Sequence, residues 1–171
     1  IIQGGPRDRV IKAKTEIGTL YGRYALQRLE ATGKADVVLD IREEPSYEHR
    51  ILNHWDNLDN TVERGYAGWS IWHWGEPVPV ELIKDYARLN ASIGINGTVL
   101  NNVNATPEML SQEKLARVAE IADILRPYGI KVYLSVNFSS PAALGGLETS
   151  DPLVPEVREW WAAKVADIYA L

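Results

Sequence analysis

The sequence predicts an α/β fold built on parallel strands, and two observations carry that prediction. From Arg50 onward, short apolar runs alternate with amphipathic stretches in the order β-α-β-α-β-α. The predicted strands begin near residues 51, 95 and 130, and the last interval of about 35 residues is what one strand and one crossover helix occupy. Right-handed crossovers would then place consecutive strands side by side.

The elements follow in order. Residues 10–15 read as a short strand. Leu20, Tyr24, Leu26 and Leu29 fall roughly on one side of a helix over 20–31, and Gly33 sits where a helix ends. The run around Val37, Val38, Leu39 and Ile41 predicts a strand, and the charged, proline-containing stretch 42–47 reads as a connector between two folding units. Residues 50–56 predict a strand ending in polar groups. Leu82, Tyr86, Leu89 and Ile93 recur at helical spacing over 80–93, and Gly94 closes that helix. A second strand covers 95–102. Thr106-Pro107 places a cap residue before a first-turn proline. Leu115, Val118, Ala119, Ala122 and Leu125 then mark a long helix ending near Pro127 and Gly129. The third strand, 130–137, carries Val132, Leu134 and Val136 on one face. A loop rich in Ser, Pro and Gly runs over 139–155, and the last helix has Val154, Val157, Trp161, Val165 and Ile168 on its apolar side. An eight-stranded barrel typically takes about 250 residues. At this point a small three-layer α/β domain and the opening part of a barrel both fit.

Composition removes several function classes. A chain of 171 residues and 19.1 kDa can bury a core. Its net charge of −5 and pI of about 5.2 argue against nucleic acid, whose binders need a basic face. There is no cysteine, which excludes disulfides, iron–sulfur clusters, thiolate zinc sites and cysteine nucleophiles. No apolar run approaches the roughly 20 residues of a membrane span. The opening IIQGGPRDRV has neither the pattern of a signal peptide nor an initiator Met, so the chain is expected to be an excerpt of a longer one. Six Trp and eight Tyr stand against one Phe. Trp55, Trp69, Trp72 and Trp74 cluster, which suits either a core or a carbohydrate cleft where indoles stack on sugar rings.

The predicted strand ends hold the candidate chemistry. The first ends in His54-Trp55-Asp56-Asn57-Leu58-Asp59-Asn60, the second in Asn101-Asn102-Val103-Asn104, the third in Asn137-Phe138-Ser139-Ser140. Parallel α/β folds bind ligands beyond the C-terminal ends of their strands. Asn, Asp and Ser also form turns and caps, which suffices for any one of these loops. Three consecutive ends of this kind, one with a Trp, point to a polyol site. No metal site is expected, because His49, His54 and His73 fall on different segments. Asp56, Asp59 and Glu63 lie on one loop, where backbone bonding is a better reading than the paired acids of a glycosidase. Gly68-Trp69-Ser70 lacks the second glycine of a serine nucleophile elbow, and neither phosphate-binding glycine motif is present.

The segment His54-Trp55-Asp56-Asn57-Leu58-Asp59-Asn60, followed by Val62-Glu63-Arg64-Gly65-Tyr66-Ala67-Gly68, resembles the xylan-degrading α-glucuronidases of glycoside hydrolase family 67. The resemblance continues through Ile95-Asn96-Gly97, Asn101 to Asn104 and Val132 to Ser140 into the Trp160-Trp161 helix, and upstream through Gly18-Thr19-Leu20-Tyr21-Gly22. It implies that residues 1–48 are the C-terminal part of an N-terminal α+β domain with its connector. Residues 49–171 would be the first three βα units of a (β/α)8 barrel, cut before strand four. It implies hydrolysis, with inversion and without metal or other cofactor, of the α-1,2 bond of (4-O-methyl)glucuronic acid on glucuronoxylan-derived oligosaccharides. The general acid would be a Glu past the fourth strand and the water-activating carboxylates would lie later still. No catalytic residue is therefore assigned within 1–171. The substrate-binding candidates are Trp55 against the sugar ring, Val103 as a second apolar contact, and Asp56, Asn57, Asn102 and Asn104 orienting hydroxyls or bracing loops. No nucleic acid or membrane partner is implied; a homodimer of the full-length enzyme and a cytoplasmic or periplasmic location are compatible with the family. Two departures bear on the first loop: Asn60 stands where a glycine is common, and the stretch 69–74 is unusually rich in Trp. The competing readings are a non-catalytic barrel fragment or scaffold, and another glycosidase with the same domain plan.

Overall fold

The computed structural model describes residues 1–63 and 68–171; Arg64, Gly65, Tyr66 and Ala67 of the family-like segment lie outside the described residues. Among the described residues, two three-stranded sheets organise the chain. The first is antiparallel, in the order β2-β1-β3, from β1 (Ile2–Gly4), β2 (Val10–Ile11) and β3 (Leu39–Ile41). Helix α1 (Glu16–Ala31) starts before the expected position because Thr15 caps it, its hydroxyl accepting from the Gly18 amide at 3.0 Å.

The second sheet is parallel, in the order β4-β5-β6, from β4 (Ile51–Asn53), β5 (Gly97–Val99) and β6 (Lys131–Tyr133). Ile51, Gly97 and Lys131 share one register row. Gly97 is required there, since a Cβ would sit 2.8 Å from Ile51 on one side and from the Tyr133 ring on the other. All three strands are shorter than predicted. Beyond Asn53, Val99 and Tyr133 the chain leaves the ladder for tip loops tied largely by side-chain bonds.

Helix α2 (Val80–Ser92) connects β4 to β5, and α3 (Gln112–Leu125) connects β5 to β6. In α2 the face assignment differs from the expectation. Leu82, Leu89 and Ile93 are 43%, 67% and 65% exposed, whereas Ile83, Ala87, Asn90 and Ala91 are buried. The reason is volume: Trp72 and Trp74 enter the same core as Ile83, Ala87 and Leu100, and small residues on the helix leave room for two indoles. In α3 the buried face is Leu115, Val118, Ile121 and Leu125, with Ala119 and Ala122 half-buried. Within the predicted 139–155 loop, α4 (Ser140–Gly145) forms a short helix that begins at a proline-containing turn. Helix α5 (Pro155–Tyr169) buries Val157 fully, while Val165 stays exposed. Among the described residues, no helix is long and apolar enough to cross a membrane.

Candidate binding site at the strand tips

After β4 the chain folds into a narrow loop that returns on itself. The His54 amide donates to the Val99 carbonyl at 3.2 Å, and the Glu63 amide donates to the Trp55 carbonyl at 2.9 Å, with Asp56 bridging Val62. The turn between is set by short polar residues. Asp59 Oδ1 accepts from the Thr61 hydroxyl at 2.6 Å and its amide at 3.0 Å, and these bonds, hydroxyl first, hold the carboxyl below its usual range. Asn60 has φ of +69°, the left-handed region, a conformation that glycine adopts freely and asparagine more readily than most residues. Its side chain donates to the Trp74 carbonyl at 2.9 Å, and its own carbonyl accepts from Ser70 at 2.8 Å.

The predicted site residues are drawn together here, and most of the amides are spent on one another. The Asn102 amide donates to the Asp56 carbonyl at 2.8 Å, joining the tips of β4 and β5. Asn102 Nδ2 donates to Asn57 Oδ1 at 2.9 Å and also to Glu63 Oε2. Asn104 Nδ2 lies 3.3 and 3.2 Å from the two Glu63 oxygens, and the Asn104 amide donates to Asn102 Oδ1 at 2.9 Å. The next pair of tips is tied the same way. Asn101 exchanges two hydrogen bonds with the Ser135 backbone, at 3.0 and 2.9 Å, and Asn137 Nδ2 donates to the Ala105 carbonyl at 2.9 Å. The three ends therefore converge, as expected, and their amides act as braces.

Beneath the rim runs a second polar chain. Tyr86 Oη of α2 is hydrogen-bonded to His54 Nε2 at 2.8 Å and to Thr98 Oγ1 of β5 at 2.9 Å, while His54 Nδ1 stands 3.6 Å from Asp56 Oδ1. Burial raises the Tyr86 phenol above its ordinary value, the Thr98 bond opposes this, and the Asp56 charge adds to it. Trp72 packs edge-on against both rings, at 5.1 Å from His54 and 5.3 Å from Tyr86. Trp72 and Trp74 are thus core residues, Trp69 is exposed and Trp55 is half-buried. A groove of about 420 Å³ opens beside the tips, lined in part by Asp56, Asn57, Asp59, Asn102 and Lys114. Trp55, Val103 and Asn104 lie outside its lining, so the candidates divide between groove and rim.

Reading the sequence misses Glu63 as the meeting point of the two loops, Tyr86 as the partner of His54, and Thr98 as the partner of Tyr86. Each link joins different elements of the chain, with no local spacing to announce it.

The chain has relatives among known proteins. The family model described as "Glycosyl hydrolase family 67 middle domain" matches residues 29–171. The chain is 44% identical over 161 residues to the probable alpha-glucuronidase A of Aspergillus clavatus, covering 93% of this chain and 19% of that protein. The figures are the same for the probable alpha-glucuronidase A of Aspergillus oryzae. For alpha-glucuronidase A of Emericella nidulans the identity is 43% over 167 residues, covering 94% of this chain and 20% of the relative. The chain spans about a fifth of the length of the curated relatives it matches. A match over so much of this chain assigns it: the chain belongs to glycosyl hydrolase family 67, and residues 29–171 belong to that family's middle domain.

Proposed function

We propose that this chain forms one wall of the sugar pocket of an α-glucuronidase. The enzyme removes (4-O-methyl)glucuronic acid from glucuronoxylan-derived oligosaccharides by hydrolysis of the α-1,2 bond with inversion. The observation that carries the reading is the joining of three parallel strand ends into one braced rim, at the end of the sheet where parallel α/β folds place their ligands. The relatives named alpha-glucuronidase supply the reaction class.

On this reading β4, β5 and β6 open a (β/α)8 barrel. Their consecutive parallel order supports it, as do the exposed apolar residues Leu82, Leu89 and Ile93 of α2, which offer a face for further units. Trp55 stacks on the uronate ring, Val103 meets its apolar substituent, and Asp56 faces hydroxyls from the groove. Asn57, Asn102 and Asn104 hold these groups in place.

Inversion needs two carboxyl groups far enough apart to admit water between the base and the sugar. Glu63 is a poor candidate for either, since Asn102 and Asn104 already donate to its oxygens. The reacting acids are assigned to the rest of the protein. So are the Arg and Lys groups an anionic uronate requires, because Lys114 of the groove is already paired with Glu113 at 3.2 Å.

The test uses the full-length enzyme on aldotetraouronic acid, followed by proton NMR from the first turnovers. Release of the uronate initially as the β-anomer is expected. Release as the α-anomer, or no release, overturns the proposal.

A further inference from the structure

We infer that Glu63 is a positioning residue: its carboxylate clamps the Trp55 loop to the Val103 loop and so fixes the placement of these two rim residues relative to each other. The inference deepens the proposed function and rests on it for the identity of what the two residues meet.

The geometry assigns Glu63 this place from both ends. Its backbone amide holds the Trp55 carbonyl at 2.9 Å, which joins it to the β4 loop. Its side chain receives Asn102 Nδ2 and Asn104 Nδ2, the residues on either side of Val103. Asn102 is 3% exposed and also reaches Asn57 Oδ1, so the Asn102–Glu63 link is set inside a closed web. Val103 itself is exposed between two anchored neighbours. A carboxylate suits this node because it only accepts, and the two side-chain groups that reach it across the loops, Asn102 and Asn104, present amide N–H donors. A glutamine would lose the charge, and its NH2 group would meet the Asn104 donor unless that amide turned over.

That polarity makes the clamp reversible by design. Glu63→Gln turns one oxygen into an NH2 group opposite the amide donors. Asn104→Asp sets a second carboxylate against the first. Together, E63Q/N104D restores each link with one polarity reversed: the introduced amide accepts from Asn102 through its oxygen and donates through its nitrogen to the introduced carboxylate.

The experiment measures kinetics on aldotetraouronic acid and amide hydrogen exchange across 101–105, both in the full-length enzyme. Each single variant should lower kcat/KM about tenfold, mostly through KM, and quicken exchange at 102–104 by a similar factor, as loss of one charge-assisted bond implies. The double variant should return both to within about threefold of wild type. Exchange unchanged by E63Q, or a double variant as impaired as the singles, overturns the clamp while leaving the proposed reaction untouched. A collapse of kcat in E63Q at constant KM without rescue also overturns it, since that marks a group acting on the substrate. If wild-type enzyme releases no uronate, the proposed function fails and the exchange data alone still decide for or against Glu63.

Discussion

Asn60 offers a test in which two separate contributions can be read from a pair of substitutions. Its φ of +69° puts a side-chain-bearing residue in the left-handed region, which costs an ordinary L-residue roughly 1–2 kcal/mol and asparagine less. Its side chain also donates to the buried Trp74 carbonyl at 2.9 Å, and leaving such an acceptor unpaired costs about 1–3 kcal/mol. Asn60→Gly removes the bond but not the permitted backbone, so a loss of about 1–3 kcal/mol is expected. Asn60→Ala removes the bond and adds strain, for a loss of roughly 2–5 kcal/mol. The gap between the variants, about 1–2 kcal/mol, isolates the backbone contribution. Asn60→Asp keeps the shape but points a carboxylate oxygen at a carbonyl, and should be no better than glycine. Urea unfolding of the full-length protein, followed by tryptophan fluorescence at neutral pH, measures all three. Equal losses for alanine and glycine would refute the left-handed turn. A glycine variant as stable as wild type would refute the contribution of the Trp74 bond.

Three further outcomes follow from the same structure. Trp55→Ala in the full-length enzyme should weaken binding of aldouronic acid by about 1–3 kcal/mol, the cost of removing an aromatic platform from under a stacked ring, and unchanged catalytic efficiency would refute that role. Tyr86→Phe should cost about 1–3 kcal/mol, because it leaves the fully buried Thr98 hydroxyl without its phenol partner; thermal unfolding measures it. The phenol also gives a pH signature. Its folded pKa is raised, so above the ordinary tyrosine value the unfolded chain has released a proton that the native protein retains, and stability must fall as pH rises through that window. The Phe variant should show a shallower alkaline decline than wild type, and an identical one would count against the buried phenol. Gly97→Ala should cost about 1–3 kcal/mol by overpacking, since its Cβ would meet Ile51 and Tyr133 at 2.8 Å; a neutral melting temperature would contradict the register.

The order of elements was legible because it rests on local patterns. Gly94 and Gly129 end helical segments, and apolar runs near 51, 95 and 130 alternate with helical patterns, the last interval at the spacing of one βα unit, so the parallel sheet followed from chain order. The inward face of α2 was not legible. Leu82, Leu89 and Ile93 form the stronger hydrophobic pattern, yet Ile83 and Ala87 face the core because Trp72 and Trp74 arrive there from a loop. Periodicity reports which face is apolar, not what a distant segment brings to it. The site divides along the same line. The polar strand ends were visible, since parallel strands present their C-terminal tips to ligands. Their internal wiring was not, because Asn102–Glu63 and Asn137–Ala105 are contacts between loops separated by whole elements.

That wiring bears on how such a wall can recognise a uronic acid. An asparagine amide both donates and accepts, so a rim closed by asparagines is rigid without carrying charge. Glu63 receives side-chain amide N–H groups from Asn102 and Asn104, which reduces what its charge presents to a neighbouring anion. Asp56 is 4% exposed with His54 at 3.6 Å, and so is also set back from solvent. Outward on the rim are the half-buried Trp55 and the exposed Val103, both suited to the C–H face and apolar substituent of a sugar, together with the exposed Asp59 and Asn104. On the proposed function, the division of labour follows from this. The segment described here offers apolar contacts to the ring, and with the Asp59 carboxylate exposed beside the groove, the cationic groups that bind the uronate carboxylate must come from elsewhere in the pocket.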